Sequence, residues 1–422
     1  MRFLQNVSTF ESLRLRDYRL LWMGQLSVSS GQWMDQIARS WLIYQLTGSS
    51  IQLGLVGAVR GIPLLLFGVL AGVVADRYGR KAQLVIAQVV NSIINVVLAV
   101  LILTNQIQPW HIYVTGFLAG TVQAFQQPAR QALVNDLVGE KYLLNAISLN
   151  SAAVSLSRSL GPAVGGLLIQ GFGVDVAYFV QAALYLLASV WTVQIRIPTA
   201  ASSMYKSSAS SGQSLLDSAR EGIAYIIAHK MILALMVLGL VPIVLGQPYT
   251  SLMPIFAIDI LHGNASTQGL LLMMSGIGAT LGALAIASFG RRQGNGRLLI
   301  AGAAGFGLAL VLFSRSPILA MAMTGTFLAG LFNSGYTAQN QTMLQMLTPA
   351  ELRGRVLGVY FLDRGFMPLG SLLAGLLASL LGGPWAVTLM GGSCFLLAIG
   401  VAVVIPALWR LKLLPASEPV TP

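Results

Sequence analysis

Two side chains of opposite charge, Asp35 and Arg39, stand four residues apart inside one long apolar stretch, and Arg60 lies within the next. Four residues is helical spacing, so Asp35 and Arg39 share a helix face and can pair. Asp363 with Arg364 gives the other acid in such a setting, and Arg158 is a further cation among apolar neighbours. Burial favours a neutral acid and a nearby guanidinium favours the carboxylate. A buried carboxyl that gains and loses an arginine partner can therefore take up and release a proton. Asp35 and Asp363 are candidates for that chemistry, against the alternative of a permanent ion pair that makes the arginine tolerable in apolar surroundings.

A second chemical signal is the run GVVADRYGRK, Gly72 to Lys81, which follows more than twenty apolar residues and packs one acid and three cations around a turn. Other chemistry is excluded by what is missing. No GxxxxGK[ST] stretch exists to hold a nucleotide, and His111, His229 and His262 have no plausible metal-ligating companions. Cys394 is the single cysteine, so neither an internal disulfide nor a thiolate cluster is possible. These absences imply no catalytic residues, no metal and no cofactor.

The elements that carry these groups are long apolar segments. The chain has 422 residues, 55% of them hydrophobic and only 9% charged, against about 25% charged in soluble domains. Mean hydropathy is +0.75. Apolar runs of about twenty residues match helices crossing about 30 Å of hydrocarbon, not barrel strands. Six spans are expected at 18–46, 51–75, 82–104, 109–134, 144–171 and 174–196, and six more at 230–258, 267–290, 297–314, 317–346, 355–382 and 385–408. Residues 1–197 and 230–422 form the two halves. Between them, 198–229 reads as a cytoplasmic linker, serine-rich at first and then helical from Leu215 to Ala228.

The net charge of +12 is spread singly over short loops and forms no patch for nucleic acid. With both termini in the cytoplasm, the outer loops hold one basic residue, Arg315, while Arg77, Arg80, Lys81, Lys141, Arg196, Lys206, Arg291, Arg292, Arg297, Arg353 and Arg355 fall inside. Twelve spans thus satisfy the positive-inside rule. The halves also echo each other: FLAG from Phe117 and Phe327, TGSSIQLGL from Thr47 and HGNASTQGL from His262, YGRK from Tyr78 and FGRR from Phe289. Three echoes in one order argue for duplicated six-helix bundles, whose binding sites lie between repeats near the midplane.

The motifs themselves carry a resemblance. Gly72, Asp76, Arg77, Gly79, Arg80 and Lys81 match the GxxxDRxGRK loop of the major facilitator superfamily, and Gly161, Pro162, Gly165 and Gly166 resemble the antiporter motif of its drug-exporting members. QQPARQALVNDLV from Gln126 and LLNAISLN from Leu143 resemble the bacterial branch that contains macrolide efflux proteins and the enterobactin exporter. The resemblance implies an all-α, twelve-helix fold of two bundles and an inner gate in which Asp76 meets the start of span 11, near Arg353 and Arg355. Gly72 is expected to admit a neighbouring helix closely and Gly79 to supply the φ of a sharp turn. The second copy of the loop has Ala287 in place of the acid.

Polar groups mark a cavity. Gln25, Ser29, Gln32 and Gln36 lie on span 1, Gln123, Gln126 and Gln127 on span 4, Gln247 and Tyr249 on span 7, and Asn333, Tyr336 and Gln339 on span 10. By resemblance, these four spans line the central cavity. Trp33 and Phe125 offer stacking surfaces, Trp41 reads as an interfacial anchor, and Arg158 either faces the cavity or braces span 5. Gln88, Asn91 and Asn95 form a stripe on span 3, facing either the bundle interior or an oligomer contact. Pro242, Pro248 and Pro254 should kink span 7. The expected function is proton-coupled export of a small amphipathic, drug- or siderophore-like compound by a monomer in the inner membrane. Its expected partners are protons, the small molecule and the lipid bilayer. An uptake symporter or a lipid-moving carrier of the same fold is the alternative.

Overall fold

The computed structural model describes residues 8–196, 215–288, 295–361 and 365–411. Asp363 and Arg364, Gly290 to Arg292, and the serine-rich part of the linker lie outside the described residues. Among those described, the architecture is helical: α1 Arg16–Thr47, α2 Ser50–Arg77, α3 Arg80–Leu103, α4 Pro109–Phe172, α5 Val174–Val193, α6 Leu215–Ala228, α7 Lys230–Val241, α8 Ala265–Ser288, α9 Gly296–Ser314, α10 Leu319–Leu347, α11 Ala350–Phe361, α12 Met367–Leu381, α13 Gly383–Val404 and the short α14 Pro406–Arg410.

Eight of the described helical segments are long and apolar enough to cross a membrane. One of them, α4, runs for 64 residues, about 96 Å at 1.5 Å per residue, and so contains two spans. Its joint is Gly139, with φ 63° and ψ 175°, a backbone conformation for which glycine is the suitable residue. The expected loop between spans 4 and 5 is therefore a one-residue break, and Glu140 already stands in the next helix. Left-handed glycines also separate consecutive spans at Gly173, φ 100°, and Gly382, φ 82°. Span 7 breaks as its prolines require: beyond α7 the helix passes through a wide turn at Pro242–Gly246 and a tight one at Gln247–Leu252.

The chain divides into two compact units. Unit 1 holds residues 1–48, 59–211 and 264–269, and unit 2 holds 49–58, 212–263 and 270–422. Within unit 1, α3 is inverted relative to a soluble helix. Gln88, Asn91, Ser92 and Asn95 are buried, while Ile86, Ile93, Val97 and Leu103 are exposed. Such a helix suits a hydrocarbon surround, where apolar groups face out and polar groups pair inside. The span-3 stripe faces the unit interior. Trp41, expected at an interface, is also buried, because α1 is enclosed along its length by α4 and α5. At one end of unit 1 the phenol of Tyr18 donates to the Ala146 carbonyl at 2.7 Å and the Trp22 indole to that of Leu149 at 2.9 Å.

In unit 2, α9 is packed between α10 and α13, around Phe306, Phe313 and Phe256. Here α6 lies against α11, where Gly222 faces the Arg355 backbone and Glu221 pairs with the Arg355 guanidinium.

Candidate functional site

In unit 1, α1 sets Asp35 and Arg39 on one face, one turn apart. Asp35 Oδ1 accepts from Arg39 Nη2 at 3.0 Å and Oδ2 from Arg39 Nε at 3.3 Å. From α2, Arg60 Nη1 approaches Asp35 Oδ2 at 2.8 Å. The two arginines differ in how they are held. Arg39, 2% exposed, is anchored on α4 by the Ile112 carbonyl at 3.0 Å and the Thr115 hydroxyl at 2.9 Å. The Arg60 side chain is 23% exposed, so water reaches it. One guanidinium is fixed to the carboxylate and the other is the more readily detached.

Around this trio Gln32, Asn91, Asn95, Gln123 and Tyr185 line a cleft with room for about one water molecule. The expected cavity residues thus divide. Gln32 and Gln123 meet Asp35 in this cleft, Gln36 is half-buried, and Gln127 is exposed. Sequence reasoning overlooked Arg130 and Tyr185. Arg130, on α4, is 4% exposed, and its Nη1 and Nη2 have no hydrogen-bond partner. A lone cation within the apolar run of span 4 was the available signal for it.

The glycines of span 5 are packing devices. A Cβ on Gly161 would lie 2.8 Å from Trp33 Cβ, and one on Gly165 3.2 Å from the Met34 backbone. Gly166 faces the carbonyl of Ala265, which belongs to the same unit, and Pro162 is buried beside them. One turn away, Arg158 lies over the Trp33 ring at 5.6 Å. The Gly72–Lys81 loop also makes its contacts within unit 1. Arg80 pairs with Asp136 on α4 at 2.7 Å and Lys81 donates to the Ile195 carbonyl at 2.8 Å. Two expectations fail here. Gly79 has φ −57°, open to any residue, and a Cβ on Gly72 would meet nothing within 4 Å. The side chains of Asp76 and Arg77 lie outside the description, and Arg355, at the span expected to receive Asp76, has Glu221 as a partner.

In unit 2 the Tyr249 hydroxyl and that of Ser275 are 3.0 Å apart, Tyr336 packs near Phe306, and Gln339 donates to the Asn295 carbonyl at 3.2 Å. Tyr249, Tyr336 and Gln339 are buried, while Gln247 and Asn333 are half-buried. Beside Gln339, Asn340 donates to the Leu235 carbonyl at 3.1 Å across to α7.

Buried polar layers inside apolar-surfaced helices are what a carrier of polar cargo through lipid requires. A family model described as transmembrane secretion effector matches residues 7–418. The chain belongs to that family. It is a multi-pass membrane transporter of the major facilitator superfamily and not an enzyme. It is 26% identical over 369 residues to the staphyloferrin A transporter of Staphylococcus aureus, covering 86% of this chain and 89% of that one. Identity to the multidrug efflux pump Tap of Mycolicibacterium fortuitum is 27%, over 95% and 98% of the two chains. The crystal structure of the nucleoside transporter NupG superposes with a TM-score of 0.74 at 16% identity, over 93% of this chain and 99% of that one, and shares its fold.

Proposed function

We propose that this transporter exports a small amphipathic compound in exchange for protons, and that Asp35 carries the proton. The reading places it in the cytoplasmic membrane with both termini inside, as a monomer whose halves, 1–197 and 230–422, alternate access to a central cavity. Relatives that bear the names of a multidrug efflux pump and a staphyloferrin A transporter support export of drug- or siderophore-like cargo.

One observation carries the coupling site. Among the described residues Asp35 is the only buried acid, and of its two cationic partners one is locked and the other partly solvated. With both guanidinium groups in place the carboxylate is stabilised. Withdrawal of Arg60 as α2 moves against α1 leaves a buried carboxylate with half its compensation, and proton uptake restores neutrality. Its return expels the proton to whichever side the cleft then faces. A cycle of this kind couples helix movement to protonation without a second acid.

The test is substrate flux into inverted membrane vesicles, with and without a pH gradient, for wild type and Asp35→Asn. Gradient-driven accumulation should vanish in the variant while downhill counterflow of the compound persists. Gradient-driven flux equal to wild type would remove Asp35 from the coupling step.

A further inference from the structure

Arg130 lies in the core of unit 1, and no described carboxylate pairs with it. Among the described residues the one buried carboxylate, Asp35, is occupied by Arg39 and Arg60. The nearest acid along its own helix, Asp136, is held by both oxygens on Arg80 at 2.7 Å. The electrostatic neighbour of Arg130 is Tyr185, a phenol. Polar groups at similar depth are neutral and incompletely bonded. Gly24, beside Gln25, packs on Ala188, one turn from Tyr185. Ser92 donates to the Ala182 carbonyl at 2.9 Å, which brings Gln88, one turn earlier on α3, level with Tyr185. Gln25 Oε1 and both amide atoms of Gln88 are buried without a partner, and so is Gln126 Nε2, one turn before Arg130 on α4.

A buried, unpaired guanidinium is among the costliest arrangements in a folded chain. Its two free Nη groups form a planar fork whose complement is a carboxylate accepting two parallel hydrogen bonds. At similar depth, Gln88 Nε2 and Gln126 Nε2 are buried donors without a partner, and an anion there can accept from them. Close packing restricts the occupant to a few atoms. We propose that Arg130 binds a small free monovalent carboxylate, of formate or acetate size, between α1, α3, α4 and α5. The anion neutralises the core of unit 1 and is a ligand separate from both cargo and proton.

The test is thermal unfolding of the detergent-purified protein in sodium formate, sodium chloride or sodium gluconate at one ionic strength. Gluconate is too bulky to enter. For wild type, formate should raise the melting temperature above the gluconate value, logarithmically once it exceeds its dissociation constant, by about 1.5 °C for each further tenfold. Chloride, lacking the two-oxygen edge, should do less. Arg130→Met should abolish the formate response and melt above wild type in gluconate, because it removes an uncompensated charge. Arg130→Lys keeps the charge but not the fork, and should weaken formate about tenfold; it serves if the methionine variant does not fold. Equal melting of wild type in formate and gluconate would overturn the proposal, as would an undiminished formate response in either variant.

Discussion

The difference between the two arginines of Asp35 has a measurable thermodynamic consequence. Replacing Arg39 with Gln removes both hydrogen bonds to Asp35 and both anchors on α4, and leaves the carboxylate to Arg60 alone. Breaking a buried pair from one side costs about 3–5 kcal/mol. Arg60→Gln removes one contact from a partly solvated side chain while Arg39 stays in place, so solvent screening reduces its cost to about 1 kcal/mol. In Asp35→Asn backgrounds both costs shrink. The coupling of Asp35 to Arg39 should reach about 2–3 kcal/mol and that to Arg60 about 1 kcal/mol or less. Denaturant titration of the purified protein, followed by tryptophan fluorescence, gives each corner of the two cycles. Equal costs for the two arginine variants, or costs that simply add in the double mutants, would refute the distinction between a fixed and a detachable partner.

Four further outcomes follow. Gly166→Ala should destabilise by about 1–3 kcal/mol through forced displacement of the Ala265 backbone, whereas Gly171→Ala, which meets open space, should be neutral or slightly stabilising, as read by melting in detergent. Cys394, 1% exposed, should resist a maleimide in the folded protein and react once it is denatured, as mass spectrometry would show. With that thiol silent, cysteines placed at Ser49 and Glu140 should be labelled by an impermeant maleimide from outside and only from inside, respectively; the reverse would invert the proposed orientation. Asp76→Asn should weaken closure at the inner surface, raising labelling of a cavity cysteine from the cytoplasm, and changes at Ala287 should do far less.

How much of this was legible in the sequence depended on the range of the interaction concerned. Apolar length marked the membrane-spanning segments, because the cost of a polar group in hydrocarbon is paid residue by residue. Prolines at 242, 248 and 254 marked the broken span for the same local reason. The spacing of Asp35 and Arg39 foretold their pairing, since a helix face follows from four residues of separation. The third dimension decided the rest. Whether Arg39 or Arg60 is anchored depends on α4 bringing Ile112 and Thr115 beside only one of them. Gly79 looked conformationally special in its motif and is not, and Trp41 looked like an interfacial anchor and is buried. Arg130 was overlooked, because only the tertiary packing buries it and leaves its Nη groups without a partner among the described residues. Sequence by itself determined that charge would be placed within the membrane. Tertiary structure alone assigned which of those charges has a partner, because pairing between helices depends on depth and rotation, which no single segment encodes.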